Sequence, residues 1–159
     1  MSDEVLREQL LELLQGGNAH MDIDEAVSGF PPEAMNETAP NVSYTPWELL
    51  EHIRIAQWDI LAFIQDPDHV SPDWPEGYWP GEGERATERM WEKTVAQIRS
   101  DREALVELVR DAETDLTAPI PHAPAYSVVR EVLIVADHAA FNLGEFALMR
   151  EVMGTWPEE

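Results

Sequence analysis

The run from Tyr126 to Met153, YSVVREVLIVADHAAFNLGEFALMREVM, limits the possible folds more than any other stretch of the chain. Steps of three and four residues put Glu131, Val135, His138, Asn142, Glu145, Met149 and Val152 on one line, and residues at that spacing share a helix face. The middle of the line is polar, with His138, Asn142 and Glu145 following one another turn by turn among apolar residues. Burying such groups without partners costs about 2–7 kcal/mol each. A helix of this kind therefore needs other helices that supply both apolar cover and polar partners.

The chain has 159 residues, of which 44% are hydrophobic, so one domain with a real core is expected over residues 1–159. The 32 acidic and 10 basic residues leave a net charge of -22, a field that repels phosphate backbones and anionic lipid. Nucleic acid and membrane surfaces are therefore excluded as expected partners. Lys93 is the only lysine among the basic residues, and the acid excess reads either as adaptation to a high-salt interior or as compositional drift. The absence of cysteine rules out a disulfide framework, a thiolate ligand or a cysteine nucleophile. No apolar run is expected to approach the roughly 18 residues of a membrane span. The start MSDEVLREQL is too acidic for a signal peptide, so a cytoplasmic location is expected.

Taken in order, residues 3–27 read as a first helix on the line Leu6, Leu10, Leu13, Gly17, His20, Asp24 and Val27, with Ser2 or Asp3 as N-cap. Gly16 and Gly17 lie inside it and suggest a kink or a close helix approach. Thr45-Pro46-Trp47-Glu48 is a strong helix start, with Thr as N-cap, Pro at the first position and Glu completing a capping box. That second helix runs to about Gln65, with Leu49, His52, Ala56, Asp59 and Phe63 on its core line. Residues 66–84 form a long proline-rich connection, and long connections are usually lids or crossovers. Trp74, Tyr78 and Trp79 are expected to dock it on the helices or to roof a pocket. A third helix is expected over about 85–111, then a loop over 112–125 in which His122, like His69 in the earlier loop, is read as exposed or capping. Trp47 and Trp58 are assigned to packing. Four helices with one long crossover make the fold class all-α, a four-helix bundle.

Three of these helices carry a histidine on a core-facing line: His20, His52 and His138. Inward-facing ligands on bundle helices are where metal sites are built, and imidazole with carboxylate suits zinc, nickel or ferrous iron. Hydrogen-bonded core histidines are the competing reading for each of them.

TPWELLEHIRIAQWDIL, PDWPEGYWP, PIPH and DHAAFNLGEFALMRE, together with GGNAH, resemble the DinB/YfiT-like superfamily over nearly the whole chain. The resemblance implies a bundle in up-down-down-up order, with the long crossover between helices two and three, and a homodimer. It also implies a divalent metal held by one histidine of helix two and two of helix four. His52 and His138 match two of those ligands, and Asn142 stands where the second helix-four histidine is expected. A carboxamide is a weaker, uncharged ligand for such ions. Three readings follow: metal held by His52, His138 and Glu145 with help from Asn142 or His20; weak metal binding; or a metal-free network of His52, His138 and Asn142.

The functions implied divide likewise. One is a metal-dependent enzyme of the thiol-dependent transferase or hydrolase type, with Glu145 or Asp59 as ligand or general base, acting on a small molecule. Without cysteine in the chain, a low-molecular-weight thiol would have to be a cosubstrate. The other is a non-catalytic, stress-associated binding dimer that has lost its metal site.

Overall fold

The computed structural model describes residues 2–157 and is predominantly helical. Its helices are α1 (Ser2–Gln15), α2 (Ile23–Val27), α3 (Pro46–Gln65), α4 (Glu88–Arg110) and α5 (Val128–Met153). The all-α bundle expected from sequence is what the chain forms. α1 and α3 each pack against both α4 and α5.

α3 begins as its sequence dictates. Thr45 accepts from the Glu48 backbone N–H, and the Glu48 carboxylate accepts from the Thr45 N–H, closing the capping box. α5 ends at Gly154, whose left-handed backbone (φ 64°) is the usual helix stop. His122 is exposed, and its ring meets the Phe63 carbonyl at 2.7 Å, in the last turn of α3. That is a capping role. Trp47 is buried, and its indole N–H donates to Thr94.

Two expectations about the first helix are corrected. It breaks after Gln15, because Gly16 and Gly17 both take positive φ (73° and 78°), which a helix cannot continue through. A separate short helix restarts at Asp22, which has its own capping box. The core line of α1 is Leu6, Leu10 and Leu14, and Leu13 points outward. Ser2 and Asp3 both belong to the helix, so the capping position before them lies outside the described residues. The 112–125 loop also holds more order than expected: β1 (Pro119–Ile120) and β2 (Ala123–Ser127) form a small antiparallel hairpin.

The core lies in two clusters. The amino-terminal halves of α3 and α4 share one with α2 and the carboxy-terminal half of α5, around Leu49, Leu50, Trp91, Ile98 and Phe146. The other joins α1, the ends of α3 and α4, the hairpin and the start of α5, around Leu10, Leu105, Val109 and Val132. Buried polar residues, among them His52, Gln57, Asp59 and Asn142, are set into the helices that carry these clusters. At the far end, fully buried Arg150 donates to the carbonyls of Ala26, Ser28 and Thr155 and lies against the rings of Phe30 and Trp156.

α5 is long and apolar enough by composition to cross a membrane, contrary to the expectation that no run approaches a span. Between Val132 and Met149 its only acidic, lysine or arginine residues are Asp137 and Glu145, so its average hydropathy stays high. Its buried side nevertheless holds Glu131, Asn142 and Arg150, which face the rest of the bundle.

Candidate functional site

His52 on α3 and His138 on α5 meet across the two helices. Their Nε2 atoms are 3.0 Å apart. His52 is buried, and its Nδ1 lies 2.9 Å from the Tyr78 carbonyl. A carbonyl only accepts, so His52 Nδ1 donates to it, which leaves His52 Nε2 to accept from His138. His138 then donates from Nε2. Burial lowers the His138 pKa from 6.5 to about 4, with repulsion from His52 adding to the effect and Asp137 opposing it. Two imidazoles joined by one hydrogen bond form the centre of the site, with His138 uncharged at neutral pH.

The long connection between α3 and α4 closes over this pair. Trp79 lies flat on the His52 ring, 4.3 Å away and only 6° from parallel. Tyr44 packs against the indole at 5.2 Å. The neighbouring Tyr78 hydroxyl donates to Asp59 at 2.6 Å, and the other Asp59 oxygen meets His69 at 2.7 Å. Burial and the Asp59 carboxylate push the Tyr78 phenol up to about 12, so it stays a donor. Trp79 roofs the pair while Tyr78 docks the segment. Trp74, at 73% exposed, does neither for the histidines.

The remaining site candidates lie elsewhere. The Asn142 amide is buried and donates to the His138 carbonyl of its own helix at 2.7 Å. Glu145 is half-buried and faces Tyr44, whose phenol is raised in pKa by burial and then by that carboxylate. It lines a groove of about 220 Å³ with Tyr44 and Leu148, on the far side of the Trp79 roof. Asp59 is held by Tyr78 and His69, as an anchor for the connection. His20 is exposed, bonds the Met21 carbonyl, and lines a groove of about 540 Å³ between α1 and α5.

This donor set does not fit a resident divalent ion. Among the described residues, no group of three or more His, Asp or Glu side chains is placed to hold one. Two imidazoles face each other, and the carboxamide expected as third ligand is turned into its own helix. Structural and catalytic metal sites take three or four protein ligands.

Sequence reasoning missed two contributors: the Tyr78 carbonyl and the buried His69 side chain, which had been read as exposed or capping. The aromatic-rich crossover had marked Trp79 as a dock or a roof, and it stacks on His52. A backbone carbonyl has no side-chain signature to find.

The family model of the DinB superfamily matches residues 7–146. The chain belongs to the DinB superfamily. No curated protein and no solved structure matches it.

Proposed function

We propose that this member of the DinB superfamily is a binding protein without a resident metal, in which a hydrogen-bonded imidazole pair stands where relatives assemble a three-ligand centre. One observation carries the reading: the His52 and His138 Nε2 atoms are 3.0 Å apart while the Asn142 amide donates to its own helix. The partner class implied by the family resemblance is a small molecule or a low-molecular-weight thiol. To touch the pair, it would displace Trp79 from the His52 ring.

Metal analysis of untagged protein tests this directly. The unmutated chain should carry no stoichiometric zinc, nickel or manganese, and its melting temperature should not respond to those ions. Asn142→His should create a three-imidazole set and a zinc-dependent rise in melting temperature of several degrees, as expected for a ligand that binds only the folded state. Stoichiometric metal that survives dialysis in the unmutated protein would overturn the proposal.

A second reading is favoured by the His52 tautomer. Metal-binding histidines characteristically donate their other N–H to a carbonyl, as His52 does to Tyr78. On this reading the protein is a metal-dependent transferase or hydrolase whose third donor comes from a thiol cosubstrate, since soft thiolate favours zinc. Zinc binding that appears only with an added low-molecular-weight thiol, and disappears in His52→Ala, would select it.

A further inference from the structure

α3, α4 and the connection between them border a second groove, of about 550 Å³, which neither His52 nor His138 lines. Small-molecule clefts fall in this range, roughly 300–1,000 Å³. Two of its residues are cationic, Arg54 and Lys93, and two are acidic, Glu51 and Glu84. Their charges cancel, in a chain that carries -22 overall. The rest of the wall is largely apolar, with Trp58, Met90 and Pro80. Trp58 is 39% exposed, so helix packing leaves part of its ring open to the groove.

A buried chain of hydrogen bonds fixes Arg54 at this groove. The Trp47 indole N–H donates to Thr94 at 3.2 Å, and the Thr94 hydroxyl donates to Glu51 at 2.5 Å. Glu51 in turn accepts from Arg54 Nε and Nη2 at 3.0 and 2.8 Å. Trp47 and Thr94 are fully covered, so the guanidinium is oriented from the core outward. Arg54 Nη1 makes no hydrogen bond among the described residues. Lys93 is exposed and makes no ion pair among them. Glu84 accepts from the Gly81 N–H on Oε2 at 3.2 Å, which leaves Oε1 free. The groove therefore joins two unspent cationic donors, one unspent carboxylate oxygen and an aromatic wall. The field of the whole chain repels a ligand with net negative charge, and a simple cation would leave Arg54 and Lys93 unmatched. A zwitterion with an apolar body meets every group and carries no net charge.

We propose that this groove binds a free amino acid with a large apolar side chain. Its carboxylate sits on Arg54 Nη1 and Lys93, its ammonium on Glu84, and its side chain against Trp58 and Met90. The inference does not depend on whether the histidine site holds metal. Titration calorimetry with L-phenylalanine and L-leucine tests it, and at least one of them should bind one to one with a Kd below about 1 mM. For L-phenylalanine the comparison is with 3-phenylpropionate, which lacks the ammonium, and phenethylamine, which lacks the carboxylate. Each should bind at least about tenfold more weakly, because each leaves charged groups of the groove unmatched. Lys93→Ala and Glu84→Gln should each weaken binding of the amino acid by about tenfold. Both positions are exposed, so the circular dichroism of the variants should not change. Arg110→Ala removes an exposed cation of α4 outside the groove and should bind like the unmutated protein. No binding of either amino acid would overturn the inference. So would an analogue that binds as tightly as L-phenylalanine, or an affinity that neither Lys93→Ala nor Glu84→Gln lowers. A loss in Arg110→Ala equal to that in Lys93→Ala would also overturn it, by tracing the binding to net charge alone.

Discussion

Burial, more than any other cause, holds His138 uncharged at neutral pH, and its lowered pKa makes that state dependent on pH. Its ordinary value of 6.5 describes the unfolded chain, and about 4 the folded one. Between those values the unfolded chain binds more protons, so stability increases with pH across the window. The contribution is fully present above pH 6.5 and is lost as pH falls toward about 4. Buried Asp101 works in the opposite direction: burial raises its pKa, so its contribution is lost as pH rises. The useful comparison is therefore between the unmutated protein and His138→Gln, differing at one group. The melting temperature of the variant should fall less steeply between pH 6.5 and 4, and parallel curves would show that His138 does not titrate there. At this scale the site was partly legible. Helical periodicity was enough to aim His52 and His138 inward from two helices. It said nothing of side-chain torsions, which turn Asn142 back to the His138 carbonyl and Glu145 toward Tyr44.

Among the elements, the segment between α3 and α4 governs access to the site. It is held by the Tyr78 and His69 contacts to Asp59, and by Trp79 on His52. Tyr78→Phe removes a donor from a buried carboxylate and should cost about 1–3 kcal/mol in chemical denaturation. Amide exchange should accelerate across residues 66–87 more than across α3, because local opening follows the loss of local contacts. Unchanged exchange there would mean that Trp79 and His69 hold the segment without the hydroxyl. Elements with explicit stop and start chemistry were legible in the sequence. The capping box at Thr45 and the glycine at 154 set the ends of α3 and α5 where the residues indicate. Elements decided by backbone preference against periodicity were not. The 4-3 rhythm runs straight through Gly16 and Gly17, yet their positive φ ends the helix. The 119–127 hairpin is short and proline-rich, so it gave no alternating pattern to read.

Over the whole molecule, the few basic residues in an acidic chain have uncommon assignments. Arg7 donates to the carbonyls of Val109, Asp111 and Thr114, tying α1 to the end of α4. Arg150, at the other end of the fold, joins α2, α5 and the residues after Gly154 through carbonyls alone. A guanidinium buried in this way depends on each acceptor, since an unpaired buried charge is far costlier than an unpaired neutral group. The Arg150 cluster thus decides where the chain can be cut or extended. A version ending at Gly154 would lose the Thr155 carbonyl and the Trp156 ring, and should unfold with roughly 3 kcal/mol less stability. One ending after Pro157, which packs on Gly29, keeps both contacts and should be more stable than the version ending at Gly154 in the same denaturation experiment. For anyone attaching a purification tag or a fusion partner, the safe junction lies beyond Pro157, because the residues just after α5 act as a clasp rather than a tail.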